Sequence, residues 1–214
     1  ALKGALKRDQ EMLAPITSSV GVLAASFEAD GSYLFGETQF NDTKSKDQGF
    51  LVNAAAEIYS NIFVDGSLLS VTGEIEGAEN KPAQRLMLIG AKYRVLGDEG
   101  LEVFAGGGWG TYDYEDKDTA KLDGKGIFGK LGLRFDVHPA ISIVGDVSFA
   151  PKFKSEGADG ADSVEGTLLS GRASVSYQVM SDLGIQATIM HNTVDMGTEK
   201  VRSTLYGGGI VLRF

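Results

Sequence analysis

The chain has 214 residues, among them 29 glycines, 4 prolines and no cysteine, and carries a formal net charge of −9. That length suits one barrel or one large domain. The lack of cysteine excludes disulfides, thiolate metal sites and cysteine nucleophiles, and the acidic balance argues against nucleic acid, since no basic stripe exists to neutralise phosphates. No run approaches 18 consecutive apolar residues, so a transmembrane helix is excluded. A mean hydropathy close to zero still suits a strand-built membrane protein, because half of its strand residues face a polar interior.

Residues 1–29 stand apart from the rest. The stretch LKGALKRDQEMLA (2–14) can form a short helix, Pro15 interrupts it, and SSVGVLAASF (18–27) is small and apolar. This segment is expected to plug a lumen, to lie free beside the barrel or to dock another protein of the cell envelope. Beyond it the chain is extended and alternating. Ten strands are predicted, at about 32–40, 49–59, 62–74, 85–95, 101–113, 125–137, 141–153, 166–178, 184–195 and 202–214.

The connections alternate in length. Tight turns are expected at 60–61, 96–100, 138–140 and 180–184, and longer polar links at 41–48, 75–84, 114–123, 154–165 and 196–201. All short turns then lie at one end of the sheet and all long links at the other, which is the up-and-down pattern of a closed antiparallel transmembrane barrel, with eight strands as the fallback count.

Five outward positions on each of strands two to ten contain no Asp, Glu, Lys or Arg. Large outward residues recur eight positions apart, as in Leu101 and Trp109, Ile141 and Phe149, Phe50 and Ile58, and Tyr206 and Phe214. Eight rises of about 3.3 Å on a strand tilted by about 40° span roughly 20 Å, close to the apolar band of such barrels. Phe135, Tyr177, Tyr93 and Phe214 would form one aromatic girdle, and Phe50, Trp109 and Phe149 the other. A soluble barrel would carry the opposite polarity, charged outside and apolar inside; the ionic inward face argues against it.

The chain ends TLYGGGIVLRF, with Tyr206, Ile210, Leu212 and the terminal Phe214 on one face of the last strand. This ending resembles the C-terminal signature of bacterial outer-membrane β-barrel proteins, with Gly208 the one weak position. By strand number and size the chain is similar to the small OmpA, OmpX and OmpW-like barrels. The resemblance implies a bacterial outer-membrane location among lipid and lipopolysaccharide, recognition of the last strand by the barrel-assembly machinery, and, with an even strand number, both ends of the barrel on the periplasmic side.

The same registers turn Glu57, Asp65, Glu102, Asp136 and Asp146 inward together with Lys92, Arg94, Lys130, Arg134, Arg172 and Arg213. Lys130, Asp146 and Arg172 fall near mid-height on neighbouring strands. Two readings follow: an ion-paired plug that fills a narrow lumen, or a constriction that selects ions or small solutes. The expectation is a structural or interacting barrel with a mostly filled polar lumen, and a narrow porin-like channel is the alternative.

Enzymatic chemistry has little to build on. His191 is expected on the outward face near the outer rim, where some lipid A deacylases use a His with a Ser two residues on and an acid nearby; here that residue is Thr193. Outer-membrane aspartyl proteases share the strand number, but His138 sits in a tight turn far from the outer rim, and that reading is rejected. The acidic stretch 155–165 lacks the ordered spacing of a calcium loop. AGGGWG (105–110) has no following helix and no Lys, so it is a close-packed strand rather than a phosphate loop. No cofactor and no metal are expected.

Overall fold

The computed structural model describes residues 26–75, 81–98, 100–116, 120–155 and 164–214. Their strands are β1 (Phe27–Phe40), β2 (Thr43–Tyr59), β3 (Ile62–Glu74), β4 (Ala83–Asp98), β5 (Leu101–Asp116), β6 (Ala120–His138), β7 (Ile141–Ser155), β8 (Val164–Gln178), β9 (Leu183–Met196) and β10 (Glu199–Arg213). Each pairs antiparallel with its sequence neighbours, and β10 pairs with β1, so the sheet closes into a ten-stranded barrel. The expected helix of residues 2–14 lies outside the described residues.

Closure is staggered. Following the pairings from Leu34 through β2, β3 and β4 leads to Tyr114 on β5. Following them the other way, through β10 to β6, leads to Glu102. The two ends of the path lie twelve residues apart on the same strand, and a barrel with that stagger must tilt its strands by roughly 40°.

The strands run further than expected at one end. Links predicted at 41–48 and 196–201 are in fact two-residue turns, at 41–42 and 197–198, and most of 114–123 is strand. Asn41 (φ 49°) and Gly197 (φ 76°) supply the left-handed backbone these turns need. These segments looked like loops because they are polar; in 114–123 and 196–201 the inward Tyr114, Leu122 and Val201 are nonetheless buried, whereas 41–48 is polar on both faces, with Ser45 and Asp47 turned inside.

Along each strand the two faces exchange character. In the half nearer the termini the outward face is apolar and exposed, with Trp109 48%, Ile127 70%, Leu131 65% and Tyr206 51% accessible. Beyond that band the outward side chains include Lys44, Arg85, Asp113, Lys125 and Arg202, whereas the inward ones include Leu69, Leu86, Tyr112, Leu122, Phe153, Leu168 and Leu205, all buried, with Thr38, Gln84 and Ser203 hydrogen-bonded among them. The expectation that the inward face is too ionic for a dry core is corrected for this half of the barrel. Where the barrel leaves the apolar band it has water outside, so it folds as a soluble barrel does, with a dry centre.

At the seam between β10 and β1 the two backbones approach closely. A Cβ on Gly207 would run into the carbonyl oxygen of Tyr33, and one on Gly209 into that of Gly31. No rotamer relieves a clash between a Cβ and backbone. Outside the seam Phe35 packs edge-on against Tyr206, with ring centroids 4.5 Å apart, and Phe27 stacks on Phe214 at 6.2 Å. Gly207→Val is therefore expected to lower the yield of folded barrel severely, whereas Gly129→Ala, with open space around its Cβ, leaves it unchanged. Refolding into detergent micelles, scored by heat-modifiable migration on cold gel electrophoresis, checks both.

Candidate functional site

The inward residues of the band half surround a cavity of about 340 Å³ that reaches the end of the barrel marked by Ser26, Phe27 and Phe214. Alternation on six strands brings its charges together: Asp65 from β3, Lys92 and Arg94 from β4, Glu102 from β5, Lys130, Arg134 and Asp136 from β6, Asp146 from β7 and Arg172 from β8. All nine were expected in the lumen. Arg213 joins them from β10. Glu57 also points inward, but its carboxylate accepts from Ser26 Oγ (3.2 Å) and from the Asn61 backbone N–H (3.0 Å) at the rim and does not line the cavity.

Two decisive acids escaped the sequence reading. Asp30 accepts from Asn53 Nδ2 at 2.8 Å, Gln186 Nε2 at 2.9 Å and Arg172 Nη1 at 3.3 Å, so one carboxylate ties β1 to β2, β9 and β8. Glu28 accepts from Arg134 Nη1 at 2.9 Å and Arg213 Nε at 2.8 Å, joining β1 to β6 and β10. Both alternate with Phe27, Ala29 and Gly31 on the outer face. The signal was present in FEADG but ran across the boundary drawn after residue 29.

Lys130, Asp146 and Arg172 are not one cluster. Arg172 donates through Nε to Asp146 at 2.8 Å, as the direct pairing of Asp146 with Arg172 across β7 and β8 requires. Lys130 instead crosses the lumen to Asp65. Arg94 pairs with Glu102 at 3.1 Å, and Arg134 with Asp136 at 3.2 Å. Hydroxyls fill the gaps between the ion pairs, with Ser32, Thr188 and Ser174 in contact at 3.3 and 3.0 Å.

Above the cavity the lumen is closed. Leu34, Leu51, Leu69, Leu86, Leu168 and Leu205 are all at most 1% accessible, and Phe153 and Tyr112 are completely buried. One carboxylate intrudes into this dry region: Asp47, in the part of β2 that projects beyond the apolar band, accepts from Ser45 Oγ at 2.6 Å. Burial raises its carboxyl above the ordinary Asp range against the opposing hydrogen bonds of Ser45 and Thr38.

His191 lies exposed on the outer face, as expected. Its Nδ1 is 2.9 Å from Thr204 Oγ1 and its Nε2 is 3.3 Å from Thr193 Oγ1. With both ring nitrogens engaged by hydroxyls, the imidazole has no carboxylate to orient it as a base. His138 accepts from the Ala140 backbone N–H at 3.2 Å in the β6–β7 turn. Among the described residues no cluster of metal-ligating side chains occurs. The acidic stretch beyond Ser155, up to residue 163, lies outside them.

No protein-family model matches this chain, and no curated protein sequence matches it. Its structure is similar to that of the outer membrane protease OmpT from Escherichia coli, with a TM-score of 0.56 and 10% identity over 90% of this chain and 98% of that one. It is also similar to an outer membrane channel from Pseudomonas putida F1, with a TM-score of 0.51 and 12% identity over 89% and 95% of the two chains. What is shared at these identities is the fold. The chain folds as a bacterial outer-membrane β-barrel.

Two outcomes are expected from this geometry. Arg172→Met leaves Asp30 and Asp146 without their shared cation and should cost about 3–5 kcal/mol, whereas Lys154→Met, at an exposed pair with Glu165, should cost under about 1 kcal/mol. Urea unfolding in micelles measures both. For Asp47 the folded carboxyl titrates above the unfolded one, so its ionisation opposes folding above that range and costs nothing below both values. Asp47→Asn is expected to stabilise the barrel at neutral pH, with the gain shrinking to nothing as pH falls below the unfolded range.

Proposed function

We propose that this protein is a sealed integral barrel of the bacterial outer membrane, a structural or interacting component rather than a passage. The observation that carries the reading is the dry core of the projecting half. Six fully buried leucines at about 1.5–3 kcal/mol each put the cost of opening a wet path through them on the order of 10 kcal/mol. At about 1.4 kcal/mol per factor of ten, that is an open population of roughly one in ten million.

In this reading the apolar band lies in the hydrocarbon layer, the dry-cored extension projects outward from it, and both ends of the barrel face the periplasm. The closing strand, with Tyr206, Ile210, Leu212 and Phe214 outward, is what the assembly machinery engages. Residues 1–25, which precede β1 in the sequence, are the segment offered to another envelope protein. The likeness to a protease brings no catalytic pairing with it, since neither His138 nor His191 is set against an acid.

Planar-bilayer recording of the purified full-length protein tests the proposal. No steady single-channel conductance is expected from barrels shown to be folded by heat-modifiable migration. Steady conductance would make the protein a pore. A Leu86→Ser, Leu168→Ser double variant, which wets the core, should conduct intermittently if the core is the seal.

A further inference from the structure

We propose that the vestibule is a binding pocket for a small organic anion, whose carboxylate is held by Lys92 while its apolar part lies against Phe63 and Phe104. Six cations line the cavity. Five have a carboxylate within ion-pair distance: Arg94, Lys130, Arg134, Arg172 and Arg213. Of these six, Lys92 alone makes neither an ion pair nor a hydrogen bond with any of the described residues. Its ammonium is instead set 4.7 Å from the ring centroid of Phe104 and 5.7 Å from that of Phe63, which pack edge-on at 5.5 Å. Two ring faces compensate part of the charge but satisfy none of its three N–H donors.

The pocket around it has a sign and a shape. Every acid lining the cavity already faces a cation, with Arg134 and Arg172 each serving two acids, so an incoming cation finds no unclaimed carboxylate. An anion finds one unclaimed ammonium. The cavity of about 340 Å³ falls within the size of small-molecule sites, which combine apolar walls with a few placed polar groups; Phe63, Phe104 and Val144 supply the walls here. It opens at the end of the termini and is blind above, so a ligand enters and leaves by one mouth. The pocket does not depend on the barrel being sealed: conductance reads the seal and a titration reads the pocket.

The probe is benzoate, titrated calorimetrically into the full-length protein in micelles, with a protein-free micelle blank and with benzylamine and benzyl alcohol as the cationic and neutral counterparts. Saturable binding of benzoate alone is expected, at least about tenfold weaker in Lys92→Met, as befits loss of a charged hydrogen bond, and retained in Lys92→Arg. Lys92→Gln serves as a second neutral variant, and only barrels with heat-modifiable migration are counted. Binding of all three probes alike, no saturable binding by the folded wild type, or benzoate binding by a folded neutral variant at wild-type strength would each overturn the proposal.

Discussion

A sheet that crosses lipid cannot leave an edge, because each unpaired backbone group there costs several kcal/mol with no water to replace the partner. In this chain the seam between β1 and β10 meets that demand, and much of the rest is arranged around it. The pairing runs from Glu28 opposite Arg213 to Phe40 opposite Val201, and the terminal residue takes part: Phe27 and Phe214 exchange both backbone hydrogen bonds, at 3.0 and 2.9 Å. Glycines at 207 and 209 let the two backbones approach where a side chain would collide. The acids of β1 then bind across the lumen to β6, β8 and β9, so the strand that closes the sheet also pins its interior.

The second constraint is that one strand passes through two media. Inside the apolar band the exterior must match lipid, and the interior can be wet and charged. Beyond it the exterior meets water, and the interior becomes the only place to put Leu86, Tyr112 and Leu205. Alternation with a period of two persists through the change, since side chains go on pointing to opposite faces, but the meaning of each face reverses. The strand count and the apolar outward face could be read from the sequence because they depend on period and spacing. The dry core could not, because alternation does not say which face is solvated. The stretches holding Lys121 and Lys200 looked like loops for that reason.

The charged half shows the same limit on a smaller scale. Inward direction follows from register, and Lys92, Lys130 and Arg172 all line the cavity. Who meets whom depends on the stagger of the barrel, which no single strand reveals: Lys130 reaches Asp65 from the far wall, not Asp146 next door. Asp30 was hidden differently. It sits in an alternating run, FEADGS, whose small residues at 29 and 31 weakened the apolar signal just where β1 begins.

Burying this many charges is expensive unless each is paired and its remaining hydrogen-bonding positions are filled. Here they nearly are: Asp30 takes three donors, Arg172 spans two acids, and Glu28 spans two arginines. Such a network favours one arrangement, because moving any member strands another. It therefore works as a register lock for the closed sheet, while the leucine core above does the sealing. Dividing the tasks this way leaves the network free to hold one group outside the scheme. Lys92, propped on two phenylalanines and facing open volume, is the one cation among the described cavity residues that the fold leaves without an ion pair, and a structural lock alone has no use for it.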